Sequence, residues 1–154
     1  MYRTITAILF LTIAFSAFSQ TTVTRKLDSM GIKNPAITDN PSALIKKMYR
    51  FDENKMKGAV LVFTFRELKL DVFAVVMQSG TSFTVQSIEA VNPKAYGSVM
   101  MGRINTSLAR WNNMKESAIP DTISSATRYS KVQYSEIRDV LASAFSILNN
   151  TSVE

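Results

Sequence analysis

Apolar residues along the central part of the chain recur with the spacing of β-strands. Three runs are rich in β-branched and aromatic residues, namely Lys57–Arg66, Leu70–Gln78 and Thr81–Val91. Turn-forming residues near Glu67–Lys69 and at Ser79-Gly80 separate these runs by only a few positions. Because such short connections join antiparallel neighbours, the pattern predicts an antiparallel meander of three strands.

Apolar residues at helical spacing predict two helices that flank this meander. The first helix is expected from a cap at Asn40 or Ser42 to about Phe51. The second is expected over residues 98–114, after a loop over residues 92–97. The apolar stripes that support them are Leu44, Ile45, Met48 and Tyr49 in the first, and Met101, Ile104, Leu108 and Trp111 in the second.

The strongest helical pattern lies near the C-terminus and predicts a helix from about Lys131 to Leu148. Ser130 and Gln133 have the spacing of a capping box, which would begin this helix. The predicted apolar stripe is Val132, Ile137, Val140, Leu141, Ala144, Phe145 and Leu148. The chain is therefore expected to fold as a single α+β domain, with helices packed on one face of an antiparallel β-meander.

The first nineteen residues have the three parts of a secretory signal peptide. Arg3 supplies the positive charge, the stretch Ala7–Phe15 is almost wholly apolar, and Ala17 and Ser19 are the small residues before a cleavage site. Cleavage after Ser19 would leave Gln20 as the new N-terminus. We therefore expect an exported protein, periplasmic or extracellular, with residues 1–19 removed.

Residues 20–40 are polar and rich in turn formers, which predicts an N-terminal arm with one short helix near Arg25–Met30. Residues 41–150 are then the folded domain. The apolar run in the leader is shorter than the roughly 20 residues of a spanning helix. We therefore expect no stable membrane insertion after the leader is cleaved.

Composition narrows the chemistry that the chain can perform by itself. Apolar residues make up 46% of the chain, which is enough for a core, while cysteine and histidine are both absent. The absence of these two residue types excludes disulfides, thiolate nucleophiles, zinc–thiolate sites and His-dependent triads. The formal net charge is +6, but the basic residues are scattered, so no nucleic-acid site is predicted. No metal site is predicted either, because the carboxylates show no spacing typical of metal ligands.

One segment, Asp121–Ser130, combines small and hydroxylated residues with a position directly before a capped helix. The first N–H groups of a helix have no partners within the helix, and the helix dipole adds positive potential there. Small residues also let the backbone approach a ligand closely. Taken alone, the segment is either a phosphate cradle or an ordinary Ser- and Thr-rich loop.

The order of residues in this segment resembles the flavinylation motif of the FMN-binding domain family, whose members include domains of the Rnf and sodium-pumping NADH:quinone oxidoreductase complexes. The family motif reads Asp-x-x-Ser/Thr-Gly-Ala-Thr, followed by a Ser three residues later and an amphipathic helix. The matching residues here are Asp121, Ser124, Ser125, Ala126, Thr127 and Ser130. The resemblance extends over roughly residues 57–148.

The resemblance implies that a flavin transferase joins FMN through its phosphate to Thr127. It further implies that Ser124, Ser125 and backbone N–H groups, with the adjoining Ala126, hold the phosphate. Asp121 is then read by the transferase or orients the loop, or else is a plain turn residue, and Ser130 contributes as a ligand or only as the N-cap. Besides the flavin transferase, the resemblance implies a second partner, a redox protein that the sequence does not identify.

The flavin ring needs an apolar or aromatic wall, for which Tyr96, Trp111 and Tyr129 are the candidates. The leading hypothesis is an electron carrier rather than an enzyme with its own substrate. Two alternatives stay open. A non-redox binding or scaffold domain is favoured by Ser125, which stands where the family has Gly, and a flavin-dependent reductase is the third possibility.

Overall fold

A six-stranded antiparallel sheet forms the centre of the domain. The computed structural model describes residues 22–92, 104–122 and 129–150. The strands follow one another across the sheet in chain order, and each pairs with the next. They are β1 (Ala36–Ser42), β2 (Ile45–Glu53), β3 (Met56–Phe65), β4 (Leu70–Ser79), β5 (Ser82–Ala90) and β6 (Ile104–Ser107). The α+β fold and the antiparallel meander are thereby confirmed.

Within the described ranges, four α-helices and one 3₁₀ turn accompany the sheet. They are α1 (residues 22–29), α2 (Leu108–Asn112), a 3₁₀ turn (Glu116–Ala118), α3 (Ile119–Thr122) and α4 (Lys131–Asn150). The long C-terminal helix agrees with its prediction to within two residues. None of the helices in the described ranges has the length and apolar character needed to cross a membrane.

The larger of two apolar cores lies between the sheet and α4, on what we term the α4 face. Phe83 of β5 stacks on Phe145 of α4, with ring centroids 4.5 Å apart and ring planes 14° apart. The Trp111 ring meets Phe145 edge-on at 5.9 Å. The residues of α4 buried in this core are Ile137, Val140, Leu141, Ala144, Phe145 and Leu148. The predicted apolar stripe of α4 is therefore the cover of this face, except at Val132, which is 42% exposed and does not belong to the core.

A second core covers the opposite side of the sheet, which we term the α1 face. Val23 and Leu27 of α1, together with Ile32, are at most 3% exposed. They pack in one cluster with residues that alternate with those of the first core, such as Val60 and Val62. The expectation that helices lie on one face only is therefore wrong, because an apolar sheet has to be covered on both sides.

This packing builds part of the segment 20–40, predicted as a polar arm, into the domain. The short helix expected near Arg25–Met30 is present as α1. Its start is tied to the end of β5, since the Thr22 hydroxyl donates a hydrogen bond of 2.8 Å to the Val91 carbonyl oxygen. Lys26 also forms an ion pair with Glu89 at 3.3 Å.

The helix predicted from Asn40 or Ser42 to Phe51 is absent, and β2 occupies most of that stretch. Met48 lies in the core of the α4 face, whereas Tyr49 and Phe51 lie in that of the α1 face. A strand buried on both faces shows no simple alternation of apolar and polar residues. Its apolar positions therefore matched a helical stripe by coincidence.

The helix predicted over residues 98–114 is also wrong over most of its described part. Ile104 pairs with Val85 in the sheet, and the helix α2 begins only after Ser107. The Ser107 hydroxyl accepts a hydrogen bond of 3.2 Å from the Arg110 N–H, which makes Ser107 the N-cap. Residues 98–103 lie outside the described ranges.

Leu27→Ala tests whether α1 belongs to the folded domain. Leu27 is 3% exposed, so its truncation should lower the free energy of unfolding by about 2–4 kcal/mol. Arg25→Ala, on the exposed side of the same helix, should change it by about 0.5 kcal/mol or less. Chemical denaturation measures both variants, and equal small effects would show that α1 contributes nothing to stability.

Tyr49→Phe tests a buried hydroxyl, because the Tyr49 oxygen has no hydrogen-bond partner in the part of the chain that the structure describes. Removing a polar group that lacks a partner should raise the free energy of unfolding by about 1 kcal/mol. Burial, reinforced by the Asp39 carboxylate, raises the pKa of Tyr49. The folded state therefore favours the neutral phenol.

Because the pKa of Tyr49 is raised, the stability of the variant and that of the wild type should depend differently on pH in the alkaline range. The stability that the wild type gains from keeping Tyr49 neutral is fully present below the ordinary tyrosine pKa of about 10. It is lost as the pH rises above that value. Tyr49→Phe should lose less stability than the wild type between neutral pH and the alkaline range, as measured by denaturation at several pH values. A destabilised variant with an unchanged alkaline slope would contradict the prediction.

Candidate functional site

The residues predicted from the motif lie on and between two helices. Asp121 is the third residue of α3 and is exposed, and Ser130 directly precedes α4. Ser124, Ser125, Ala126 and Thr127 lie outside the described residues. The structure therefore describes the residues at both ends of the motif, and the attachment of a ligand to Thr127 stays a prediction.

A capping box begins α4, as the spacing of Ser130 and Gln133 predicts. The Ser130 hydroxyl accepts a hydrogen bond of 3.1 Å from the Gln133 N–H, and the Gln133 side-chain oxygen accepts one of 2.8 Å from the Ser130 N–H. Ser130 is therefore the N-cap, which was one of the two roles considered for it. This box fixes the first turn of the helix that follows the motif.

Within the described part of the chain, the cap leaves two backbone N–H donors without a partner at the start of α4. Of the four N–H groups that a helix leaves without an intrahelical partner, the box uses those of Ser130 and Gln133. The N–H groups of Lys131 and Val132 complete the set. The Lys131 side chain adds a positive charge at the same end, where the helix dipole also favours an anion. This end of α4 is therefore suited to a phosphate.

Two contacts in the middle of α4 hold its first turns in place. The Trp111 indole N–H donates a hydrogen bond of 3.0 Å to the Arg138 carbonyl oxygen. The Glu136 carboxylate accepts the Arg66 backbone N–H at 3.3 Å and pairs with the Arg66 Nε at 3.4 Å. Since Arg66 follows β3 directly, these contacts link the helix to the end of the sheet.

Glu136 was not among the residues identified from the sequence. Its side chain is almost fully buried, which for a carboxylate calls for charged or polar partners. The available signal was its position: Glu136 lies one turn before Val140, on the buried face of the helix, whose other buried residues are apolar except for Gln133. An acidic residue at such a position indicates a specific partner, but not that the partner is Arg66.

The other flank of the motif is the short helix α3. The Thr122 hydroxyl donates a hydrogen bond of 2.9 Å to the Ala118 carbonyl oxygen and lies 3.3 Å from the Met114 sulfur. Thr122 is thereby held by its own helix and the preceding turn. The Asp121 carboxylate makes no hydrogen bond or ion pair with the described residues, so no side-chain contact there assigns it a role.

A groove of about 540 Å³ lies beside both flanks of the motif. Its lining is Glu116, Ser117, Pro120, Tyr129, Lys131 and Tyr134. Pro120 stands before the motif, and Tyr129, Lys131 and Tyr134 follow it. The groove therefore joins the start of α4 to an aromatic surface next to the predicted attachment residue.

The aromatic part of this groove is built from the core outward. The rings of Tyr129 and Phe65 lie 6.0 Å apart at an angle of 50°. The Tyr134 ring stands almost perpendicular to that of Tyr129, with the centroids 5.5 Å apart. Tyr129 is 6% exposed, whereas Tyr134 is half-buried. Tyr134 therefore offers more ring surface to a ligand than Tyr129 does.

The structure revises the list of aromatic residues proposed to line a flavin site. Trp111 is fully buried in the core and is not available to a ligand. Tyr96 lies outside the described residues. Tyr129 lines the groove, and Tyr134, which the sequence analysis did not single out, joins it. Tyr134 is four residues after the N-cap Ser130, about one helical turn. Its side chain therefore lies on the same face as Ser130, near the N-terminal end of the helix.

No family model, curated protein or solved structure matches this chain. What the chain binds must therefore be inferred from its own residues. The types of residue that line the groove are suited to FMN, since Lys131 and backbone N–H groups can bind a phosphate and the tyrosines can pack on a planar ring. Among the described residues, no cluster of carboxylates is suited to a metal ion.

Ser130→Ala tests the cap that positions the groove. Loss of the capping hydrogen bond should lower the free energy of unfolding by about 1 kcal/mol. Ser135→Ala, within the same helix, removes an identical side chain and should be close to neutral, because alanine favours a helix interior. Thermal or chemical denaturation compares the two, and an equal effect would mean that the box contributes no stability.

Proposed function

We propose that this chain is an exported flavoprotein that carries FMN covalently on Thr127 and transfers electrons outside the cytoplasm. The observation that carries the proposal is the motif over residues 121–127, which resembles the flavinylation motif and precedes a capped amphipathic helix. Thr127 stands three residues before Ser130, which caps α4. This spacing is the one that the family resemblance implies.

Attachment of FMN to a hydroxyl requires an activated flavin, because the phosphate of free FMN has no good leaving group. A flavin adenine dinucleotide supplies one. In the proposed step, catalysed by a flavin transferase, the Thr127 oxygen bonds to the phosphorus of the FMN half. The pyrophosphate bond breaks, AMP leaves, and the hydroxyl proton passes to a base. The product is a phosphodiester between Thr127 and the flavin.

The described residues support this proposal at both ends of the cofactor. Lys131 and the first N–H groups of α4 are suited to the phosphate, alongside Ser124 and Ser125 of the motif. The groove supplies aromatic side chains for the ring. The protein thus provides tethering, orientation and electrostatics, and the flavin provides the redox chemistry when it is bound.

A covalent tether suits a protein that works outside the cytoplasm, where a dissociated cofactor is lost by dilution. The sequence of residues 1–19 supports export, since it has the charge, apolar run and cleavage site of a signal peptide. The net positive charge of the chain favours an acidic redox partner. We therefore infer a periplasmic or extracellular carrier that serves a separate partner protein.

One feature of the motif favours a second candidate, a binding or scaffold domain of the same fold without flavin. Ser125 stands where the family has Gly, and Gly adopts left-handed backbone conformations and tolerates crowding more readily than Ser does. If the transferase requires that freedom, Thr127 stays unmodified. The domain would then present the same groove to a ligand that needs no covalent tether.

Co-expression with a flavin transferase tests the proposal directly. The full chain with its leader, denatured and separated on a gel, should give a band that fluoresces under ultraviolet light, since a covalent flavin survives denaturation. Thr127→Ala should abolish the fluorescent band because it removes the oxygen that bonds to phosphorus. Intact mass should show one FMN phosphodiester in the wild type and none in the variant.

Two further variants serve as controls for this experiment. Thr122→Ala removes a threonine at a position where the family motif accepts any residue, and it should leave the band unchanged. Ser125→Gly restores the residue typical of the family and should keep or increase the flavinylated fraction. A dark band for the wild type would reject the flavoprotein and leave the scaffold domain, and a fluorescent band for Ser125→Gly beside it would identify Ser125 as the reason.

A further measurement separates a carrier from a reductase. The purified flavoprotein is reduced and mixed with small-molecule acceptors, and the rates are compared with those of free FMN. A carrier should react no faster than free FMN. Saturable turnover well above the rate of free FMN would instead indicate an enzyme with its own substrate.

A further inference from the structure

The groove beside the motif combines an aromatic surface with a position that a flavin on Thr127 can reach. We propose that this groove, which Pro120 also lines, seats the isoalloxazine ring, with Tyr134 as the side chain on which the ring packs. This inference rests on the proposed function, since it assigns a place to the ring of the flavin that Thr127 carries. It adds a binding role for Tyr134 that the motif itself does not specify.

Chain connectivity brings the ring within reach of the groove. Thr127 is two residues before Tyr129, so their Cα atoms are at most about 7 Å apart. A five-carbon ribityl chain separates the phosphate of FMN from its ring. A phosphate held near the start of α4 therefore leaves the ring free to reach Tyr134, which lies one turn further along that helix.

The size and lining of this groove distinguish it from two others. Its volume of about 540 Å³ falls in the range of small-molecule sites. A groove of about 150 Å³ near α4 is smaller, and charged residues such as Lys46, Arg66 and Glu136 contribute much of its lining. A third, of about 380 Å³, contains Arg50 and several other polar residues. Neither is lined by a half-exposed aromatic ring, which a flavin needs for stacking.

The aromatic surface is also fixed in advance of binding. Tyr134 packs edge-on against Tyr129, which in turn packs against Phe65 of β3. The backbone N–H of Tyr134 donates a hydrogen bond of 2.9 Å to the Ser130 carbonyl oxygen, in the capped first turn. A ring that packs on Tyr134 therefore meets a surface whose orientation the core and the helix cap already determine.

Flavin fluorescence reports this contact, because a nearby phenol transfers an electron to the excited flavin and quenches its emission. Phenylalanine retains the ring but is a much poorer electron donor. In flavin-loaded full-length protein, Tyr134→Phe should therefore raise the native fluorescence above that of the wild type while keeping the visible circular dichroism of the bound ring. The Tyr129 phenol, which also lines the groove, retains part of the quenching. Tyr134→Leu should raise the fluorescence and also weaken the visible circular dichroism, because it removes the stacking surface.

Tyr49→Phe is the matched control, since Tyr49 lies in the core on the other face of the sheet and should leave both signals unchanged. If Tyr134→Leu fails to fold by far-ultraviolet circular dichroism, Tyr134→Phe decides alone. If the denaturing gel shows a fluorescent band but Tyr134→Phe has the same native fluorescence and circular dichroism as the wild type, the ring site is overturned. The proposed flavoprotein is unaffected by that result. A dark gel band for the wild type instead rejects the proposed function.

Discussion

The requirement that a single sheet be covered on both faces governs this fold. Successive residues of β3 point to opposite sides, so that Leu61 belongs to the core beneath α4 and Val60 to the core beneath α1. Neither apolar face can be left to water without losing the burial that stabilises the domain. The meander therefore needs one helix from each end of the chain, and the N-terminal helix is as much a part of the fold as the C-terminal one.

The cover of the α4 face also sets the position of the candidate site. Phe145 stacks on Phe83, and the Trp111 indole donates to the Arg138 carbonyl oxygen, so α4 is fixed along most of its length. The buried Glu136 binds the backbone and side chain of Arg66 at the end of β3. The capped end of α4 therefore projects from a rigid core, which is the kind of support that a precise binding site requires.

The residues around that helix end are of two kinds. The first turn of α4 and Lys131 offer positive potential and N–H groups that have no partner among the described residues, whereas Tyr134 and Pro120 offer apolar surface. In the proposed flavoprotein these groups would bind and orient the cofactor, and the flavin would supply the redox chemistry.

Local patterns in the sequence determined the strands over residues 57–91, the helix α4 and its capping box, because each depends on residues close together in the chain. The motif over residues 121–127 was likewise readable without a structure, as a prediction about Thr127. Only the tertiary structure showed that residues 45–53 form a strand: burial on both faces had removed the alternation that marks one. It alone paired Glu136 with Arg66 and brought Pro120 to the same groove as Tyr134, since contacts between distant segments depend on how sheet and helices pack and leave no local pattern.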